Sequence, residues 1–95
     1  MLALDHATHA QFEVCLHETF RLVLNDGAFP LELAQVRLLG NAAPNAKREP
    51  FALRFKSATP IRLPQSIYQL ENDRLGAMKI FLVQLAPTEL EAIFN

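Results

Sequence analysis

The stretch FALRFK, residues Phe51–Lys56, is the clearest strand in the sequence and indicates the fold class. Its first, third and fifth side chains are large and apolar, whereas the second, fourth and sixth are Ala52, Arg54 and Lys56. Because successive side chains of an extended chain point to opposite sides, this alternation predicts a strand with one buried and one solvated face. The pattern predicts a chain built mainly from β-strands.

Two further strands are predicted before this segment. Phe20–Leu24 alternates in the same way and ends at the turn residues Asn25–Gly27. The next run, Leu31–Leu38, loses its alternation near Ala34–Gln35, where a β-bulge would absorb one extra residue. The polar segment Gly40–Glu49 that follows is expected to be an exposed loop.

Three more strands are predicted after a connector that two prolines bracket. Ile67–Glu71 is a short strand, and Asn72–Gly76 is its hairpin turn. Ala77–Leu85 is the most apolar strand, and we expect it to be covered on both faces. Glu91–Asn95 is a final strand that either closes the sheet of its own chain or adds to an edge of a neighbouring subunit, the first being favoured.

A short N-terminal helix completes the prediction. Thr8 and Gln11 fit a capping box, and Phe12, Cys15 and Leu16 follow at helical spacing as one apolar stripe, so a helix is expected over Thr8–His17. The short spacing of the turns favours antiparallel hairpins over crossover connections. The expected fold is a single domain over residues 1–95, mainly β (α+β), with about six mostly antiparallel strands in a small barrel or sandwich.

Composition narrows the class of protein. The 95 residues are 51% hydrophobic and 20% charged, with a net charge of −1 and one cysteine. This composition is that of a globular domain without a disulfide and without a global field for nucleic acid or anionic membranes. The N-terminus does not resemble a secretion signal, and no apolar run approaches the roughly 20 residues that span a bilayer. A cytoplasmic location without membrane association is expected.

Catalytic and metal sites are not expected. His6, His9, Glu13, Cys15 and His17 lie close together in sequence, and His9 and Glu13 would share one helix face, but further converging ligands for zinc are lacking. Adjacent helical positions point apart, so His17 does not readily activate Cys15 as a nucleophile. The three glycines are widely separated and form no phosphate-binding loop. We therefore expect a protein that is not an enzyme and holds no cofactor.

Basic residues are concentrated in one segment. From Lys47 to Arg62 there are five bases and one acid, between acidic flanks. This surface is interpreted first as a solvated outer face, second as a docking face for an acidic protein, and last as a nucleic-acid site. Arg54 and Lys56 lie on the face opposite the phenylalanines, which argues against a base-stacking platform. Glu91 is expected to pair with Arg48 or Arg54.

An ordered series of motifs resembles a family of small uncharacterised bacterial proteins, a domain of unknown function. The series consists of the patterns R-x-P-F-x-L-x-F from Arg48, L-P-Q-x-x-Y-x-L from Leu63, and E-A-x-F-N at the C-terminus. The resemblance associates such proteins with phage-tail-like loci and implies an accessory role in an assembly.

The sequence thus favours a non-enzymatic interaction or assembly module that binds a protein partner or a second copy of itself. The alternative is a small-ligand-binding β-barrel with its site near Gln65 and Tyr68. The residues expected to line a partner or ligand surface are Arg48, Arg54, Lys56, Gln65 and Tyr68.

Overall fold

Six strands close into a barrel in a computed structural model of the protein, which describes residues 7–40 and 48–95. The elements in chain order are α1 (His9–Glu13), β1 (Thr19–Leu24), β2 (Gly27–Leu38), β3 (Phe51–Lys56), β4 (Ser66–Asn72), β5 (Gly76–Ala86) and β6 (Glu89–Phe94). The predicted mainly β fold with one short helix is confirmed, and of the two expected architectures the barrel is the one observed.

The barrel combines two three-stranded meanders. Its strand order is β1-β2-β3-β6-β5-β4, and every neighbouring pair is antiparallel. The β3–β6 pairing joins the meanders along six residue pairs, whereas β1 and β4 pair only over Arg21–Val23 and Gln69–Glu71. The C-terminal strand β6 therefore closes the sheet of its own chain.

Side chains fill the barrel interior. Phe51 and Phe94 stack in parallel with ring centroids 4.6 Å apart, and Phe12 of α1 packs against both at 5.8 and 5.5 Å. Phe20 and Phe55 meet edge to face at 5.3 Å nearer the other end. Burying each such ring contributes about 1.5–3 kcal/mol to stability. The helix thus caps one end of a solid hydrophobic core.

The predicted irregularity in β2 is confirmed. The register with β3 shifts between Leu33 and Gln35, so Glu32 pairs with Lys56 before the bulge and Val36 pairs with Leu53 after it. A second irregularity, which the sequence did not predict, lies in β5 between Gln84 and Ala86.

The helix is shorter than predicted. It covers His9–Glu13 instead of Thr8–His17, and Leu16 is exposed rather than part of a buried stripe. The chain leaves the helix because it docks on β2: the amide of His17, at a φ of 70°, donates to the carbonyl of Leu33 at 2.7 Å. Docking on the barrel replaces a further helical turn.

The predicted capping box is present. The amide of Thr8 donates to Oε1 of Gln11 at 2.9 Å, which fixes the first turn of α1. This contact places Phe12 over the end of the barrel.

The prediction that the most apolar strand is covered on both faces is wrong. In β5 the side chains of Met78, Ile80 and Leu82 are buried, but Phe81 and Leu85 are 51% and 46% exposed. A closed barrel of this size has a single interior, and no second layer covers the outside of β5 among the described residues. The apolar outer residues of this strand are left in water.

The other boundaries shift by a few residues. Strand β4 continues to Asn72, which was predicted as a turn residue, and β6 begins at Glu89 rather than Glu91. Gly76 has a φ of 83°, which the hairpin between β4 and β5 requires and which other residues rarely adopt. Most of the predicted loop Gly40–Glu49, residues 41–47, lies outside the described residues.

Candidate functional site

The structure does not bring the five predicted surface residues together. Arg48 lies at the end of the barrel that α1 caps, and Arg54 and Lys56 project from the outer face of β3. Gln65 and Tyr68 lie at the start of β4, beyond β6 and β5 in the strand order. They therefore divide into three separate locations, each with its own environment.

Arg48 binds the two ends of the described chain. Its Nε donates to the carbonyl of Asn95 at 3.2 Å and its Nη1 donates to the carbonyl of Ala7 at 2.9 Å. Its guanidinium carbon also lies 5.2 Å from the ring centroid of Phe94 and 5.8 Å from that of Phe51. This combination of hydrogen bonds and cation–π contacts indicates a structural role.

The bases of β3 face acids on the neighbouring strands. Nη2 of Arg54 lies 3.5 Å from Oε2 of Glu91, which confirms one of the two pairings predicted for that glutamate. In register, Lys56 lies between Glu32 of β2 and Glu89 of β6. Two of the five bases of the segment, Arg54 and Lys56, therefore face acids that are distant in sequence; the first base, Lys47, lies outside the described residues.

These residues form one surface, which we call the charged face. It covers the outside of β2, β3 and one end of β6 and consists of Glu32, Arg37, Arg54, Lys56, Glu89 and Glu91.

Tyr68 and Gln65 do not line an observed ligand cavity. The Tyr68 hydroxyl donates to the carbonyl of Pro64 at 2.5 Å, and Gln65 is exposed. An apolar pocket of about 180 Å³ lies near this segment, but other residues line it: Leu22, Leu24, Phe29, Ile61, Arg62 and Leu63. Small-molecule sites typically measure about 300–1,000 Å³. A larger groove of about 530 Å³ adjoins this pocket, and Gln65 and Tyr68 line neither of the two.

A polar cluster next to α1 has a structural explanation. The buried Asn72 accepts hydrogen bonds at Oδ1 from the amides of Arg74 and Leu75, at 2.9 and 3.0 Å, and its Nδ2 donates to the carbonyl of Thr19 at 3.0 Å. Arg74 also forms an ion pair with Glu18 at 2.8 Å, and its hydrogen bond lowers the pKa of that carboxyl. The cluster holds the β4–β5 turn against the start of β1.

Cys15 adjoins this cluster and is fully buried. Its Sγ lies 3.7 Å from Oδ1 of Asn72, and burial raises the pKa of the thiol above its ordinary value. Its neighbour in sequence, His17, instead contacts Oε2 of Glu32 at 2.7 Å. A neutral buried thiol without an adjacent histidine lacks the features of an activated nucleophile.

The two described histidines, His9 and His17, contact different carboxylates and do not lie together. Nδ1 of His9 lies 3.0 Å from Oε1 of Glu13, one helical turn away as predicted. Across residues 7–40 and 48–95, no group of three or more His, Cys, Asp or Glu side chains is placed to hold a metal ion. His6, the third histidine of the sequence-based hypothesis, lies outside that part of the chain.

The feature that the sequence-based prediction missed is an apolar row on the outside of the barrel. Ile67 on β4, Phe81 on β5 and Ile93 on β6 are 65%, 51% and 48% exposed. Ile67 and Phe81 are direct cross-strand partners. The half-buried Val83 of β5 pairs with Glu91 of β6. Because these strands are antiparallel, Phe81, two residues before Val83, lies beside Ile93, two residues after Glu91, on the same outer face.

These four apolar residues, Ile67, Phe81, Val83 and Ile93, are called the apolar face. Single exposed hydrophobic residues are ordinary, but adjacent ones across three strands form a patch of the kind that binds proteins. The sequence of β5 does not reveal it, because Ile80–Val83 is a continuous apolar run in which the buried and the exposed face look alike.

Among the described residues, no helix has the length and apolar character that crossing a bilayer requires, since α1 has only 5 residues.

Comparison with known proteins gives a family but no characterised relative. No curated protein and no solved structure matches the chain. A family model described as a domain of unknown function, DUF6916, matches residues 7–94. This match includes all six strands and the helix, and the chain therefore belongs to the DUF6916 family.

Proposed function

We propose that this protein is a non-enzymatic interaction module that docks on a protein partner through its apolar face. The observation that supports the proposal is the adjacency of Ile67, Phe81 and Ile93, each about half exposed or more, on three neighbouring strands. A protein surface of complementary shape would remove these side chains from water, which is the main driving force of association.

The free energy gained by covering the apolar face indicates the kind of interaction. Complete burial of a large apolar side chain contributes about 1.5–3 kcal/mol, so three half-exposed ones contribute about 3–5 kcal/mol together. Association itself costs an estimated 4–15 kcal/mol in lost freedom of motion. The apolar face would therefore act as the centre of a larger contact, or as one of several contacts in an assembly.

An assembly role agrees with the resemblance noted in the sequence. An accessory place in a phage-tail-like assembly would supply repeated contacts, in which a modest docking energy per copy is sufficient. The proposal retains the cytoplasmic location expected from the sequence, which the single buried thiol of Cys15 supports.

The experiment is affinity capture from the source cell with three baits: the wild-type chain, Phe81→Glu and Leu38→Glu. Leu38 is the control, because it is 46% exposed against 51% for Phe81 but lies on β2, two strands away from β6. Since it pairs in register with the buried Phe51, the fold of Leu38→Glu is checked by circular dichroism. We expect a partner that wild type and Leu38→Glu recover and Phe81→Glu does not. Tail components among the captured proteins would support the assembly role.

Equal recovery by all three baits would show that the apolar face is not the docking site. Recovery of the bait alone in repeated experiments would contradict a partner of another sequence.

A further inference from the structure

We infer that a second copy of this chain occupies the apolar face, in a two-fold symmetric dimer. This inference rests on the proposed function, since it names the partner of the same face. It is drawn from the positions of two charged residues at the border of the face, Lys79 and Glu91.

Lys79 and Glu91 lie on opposite sides of the apolar row. Lys79 precedes Phe81 by two residues on β5, and Glu91 precedes Ile93 by two residues on β6. Because β5 and β6 are antiparallel, the same step along each strand leads in opposite directions. One side of the row therefore carries a cation and the other side an anion.

The two charges differ in accessibility, since Lys79 is exposed whereas the Glu91 side chain is 19% exposed. Lys79 is exposed and forms no ion pair or hydrogen bond through its side chain with any described residue. The contacts of Glu91 with Arg54 and Arg37, at 3.5 and 4.0 Å, both involve Oε2, which leaves Oε1 for another cation. Lys79 is thus a base at the border of the apolar face that forms no ion pair with an acid among the described residues.

In the inferred dimer the two-fold axis lies between the two copies and runs parallel to the apolar row, so that each contact between the copies forms twice. Such an axis places Phe81 against its own equivalent and exchanges the two sides of the row. Lys79 of each copy then approaches Glu91 of the other, which is the reciprocal contact that an isologous interface requires.

The dimer is expected to be weak. Four apolar side chains from each copy and two charge pairs form a small contact, of the class below the roughly 1,200 Å² that stable interfaces bury. A dissociation constant on the order of 10–100 μM is expected.

The first test is sedimentation velocity from about 1 μM to about 1 mM protein, a range that brackets this constant. Wild type is expected to shift from monomer to dimer, Phe81→Glu to stay monomeric, and the control Leu38→Glu to behave as wild type. A wild-type chain that is monomeric throughout, or a dimer that Phe81→Glu leaves intact, overturns the inference.

The second test is a charge exchange, which is specific to the two-fold arrangement. Lys79→Glu alone and Glu91→Lys alone should each weaken the dimer roughly tenfold, because the substituted residue then faces a like charge. The double variant Lys79→Glu with Glu91→Lys restores both attractions and should dimerise as wild type. Failure of the double variant to dimerise, while its thermal unfolding remains cooperative, overturns the arrangement.

Glu91→Lys also loses the contact with Arg54, so its fold requires a separate check by circular dichroism. If it does not fold, Lys79→Glu and Glu91→Gln serve instead: both should weaken the dimer, and an unchanged constant in both overturns the inference. Failure of the dimer is distinguishable from failure of the proposed function. A monomeric wild type that still loses a captured partner on Phe81→Glu refutes only the second copy as occupant.

Discussion

The outside of the barrel has two contrasting regions, the charged face and the apolar face, which share strand β6. On the charged face the two bases of β3 lie opposite acids on the next strand, as Arg54 does with Glu91, and Arg37 of β2 lies 4.0 Å from the same glutamate. On the apolar face Ile67, Phe81 and Ile93 contact water. The border between the two faces is narrow. Arg37 of β2 pairs with Ala52 of β3, and Ala52 pairs with Ile93 of β6, so only the small, buried Ala52 lies between a charged and an apolar residue.

The contrast shows which surface the described part of the chain leaves uncovered. Exposed ion pairs contribute about 0–1 kcal/mol each and are complete within one chain. Exposed large hydrophobic side chains gain free energy only when another surface covers them. The bases of β3, Arg54 and Lys56, therefore face acids within the fold, whereas Ile67, Phe81 and Ile93 stay exposed.

The largest expected effect is a difference in the free energy of unfolding between substitutions on the buried and on the exposed side of β5. Leu82→Ala should lower the free energy of unfolding by about 2–5 kcal/mol, because Leu82 is fully buried in the barrel. Phe81→Ala, one residue away, should lower it by less than about 1 kcal/mol. Urea denaturation monitored by circular dichroism measures both variants. If Phe81→Ala costs as much as Leu82→Ala, the apolar face belongs to the stability of the fold and is not a free docking surface.

Much of the fold could be predicted because local patterns encode it. The alternation in Phe51–Lys56 and the slip near Ala34–Gln35 correctly placed a strand and a bulge. The end of the helix could not be predicted in this way, because the bond from His17 to Leu33 joins residues whose proximity depends on the closed barrel.

The candidate site was less predictable than the fold. The concentration of bases between Lys47 and Arg62 is visible in the sequence, but the acids that match them lie on other strands, as Glu32 and Glu89 do on either side of Lys56. Exposure of Phe81 depends on which face of β5 the barrel encloses, and its adjacency to Ile67 depends on register. Both facts are properties of strand pairing and not of composition.

A smaller effect tests whether the charged face is complete within the chain. Glu91→Gln should lower the free energy of unfolding by about 1–2 kcal/mol, because Arg54, whose Nε is buried and has no hydrogen-bond partner among the described residues, then loses its neighbouring carboxylate. Urea denaturation of the monomeric Phe81→Glu background measures the effect without a contribution from association.

Lys79→Gln is the matched control in the same background. Lys79 forms no ion pair with a described residue, so its substitution should change the free energy of unfolding by less than about 0.5 kcal/mol. Equal effects of the two substitutions would mean that the charged face gains nothing from its pairing.

The smallest effect expected is a pH dependence, which tests intrachain ion pairing at the barrel end, away from both faces. The hydrogen bond from Arg74 lowers the pKa of Glu18 below its ordinary value of 4.5. Because the folded pKa lies below the unfolded one, this carboxylate stabilises the fold above about pH 4.5, and its contribution is lost as the pH falls through the folded pKa. Glu18→Gln should therefore lower the Tm slightly at pH 7 and make it fall less steeply towards about pH 3. Thermal unfolding of both proteins across this range measures the difference. Parallel Tm profiles would show that the Glu18–Arg74 pair contributes no measurable stability, as is common for exposed ion pairs.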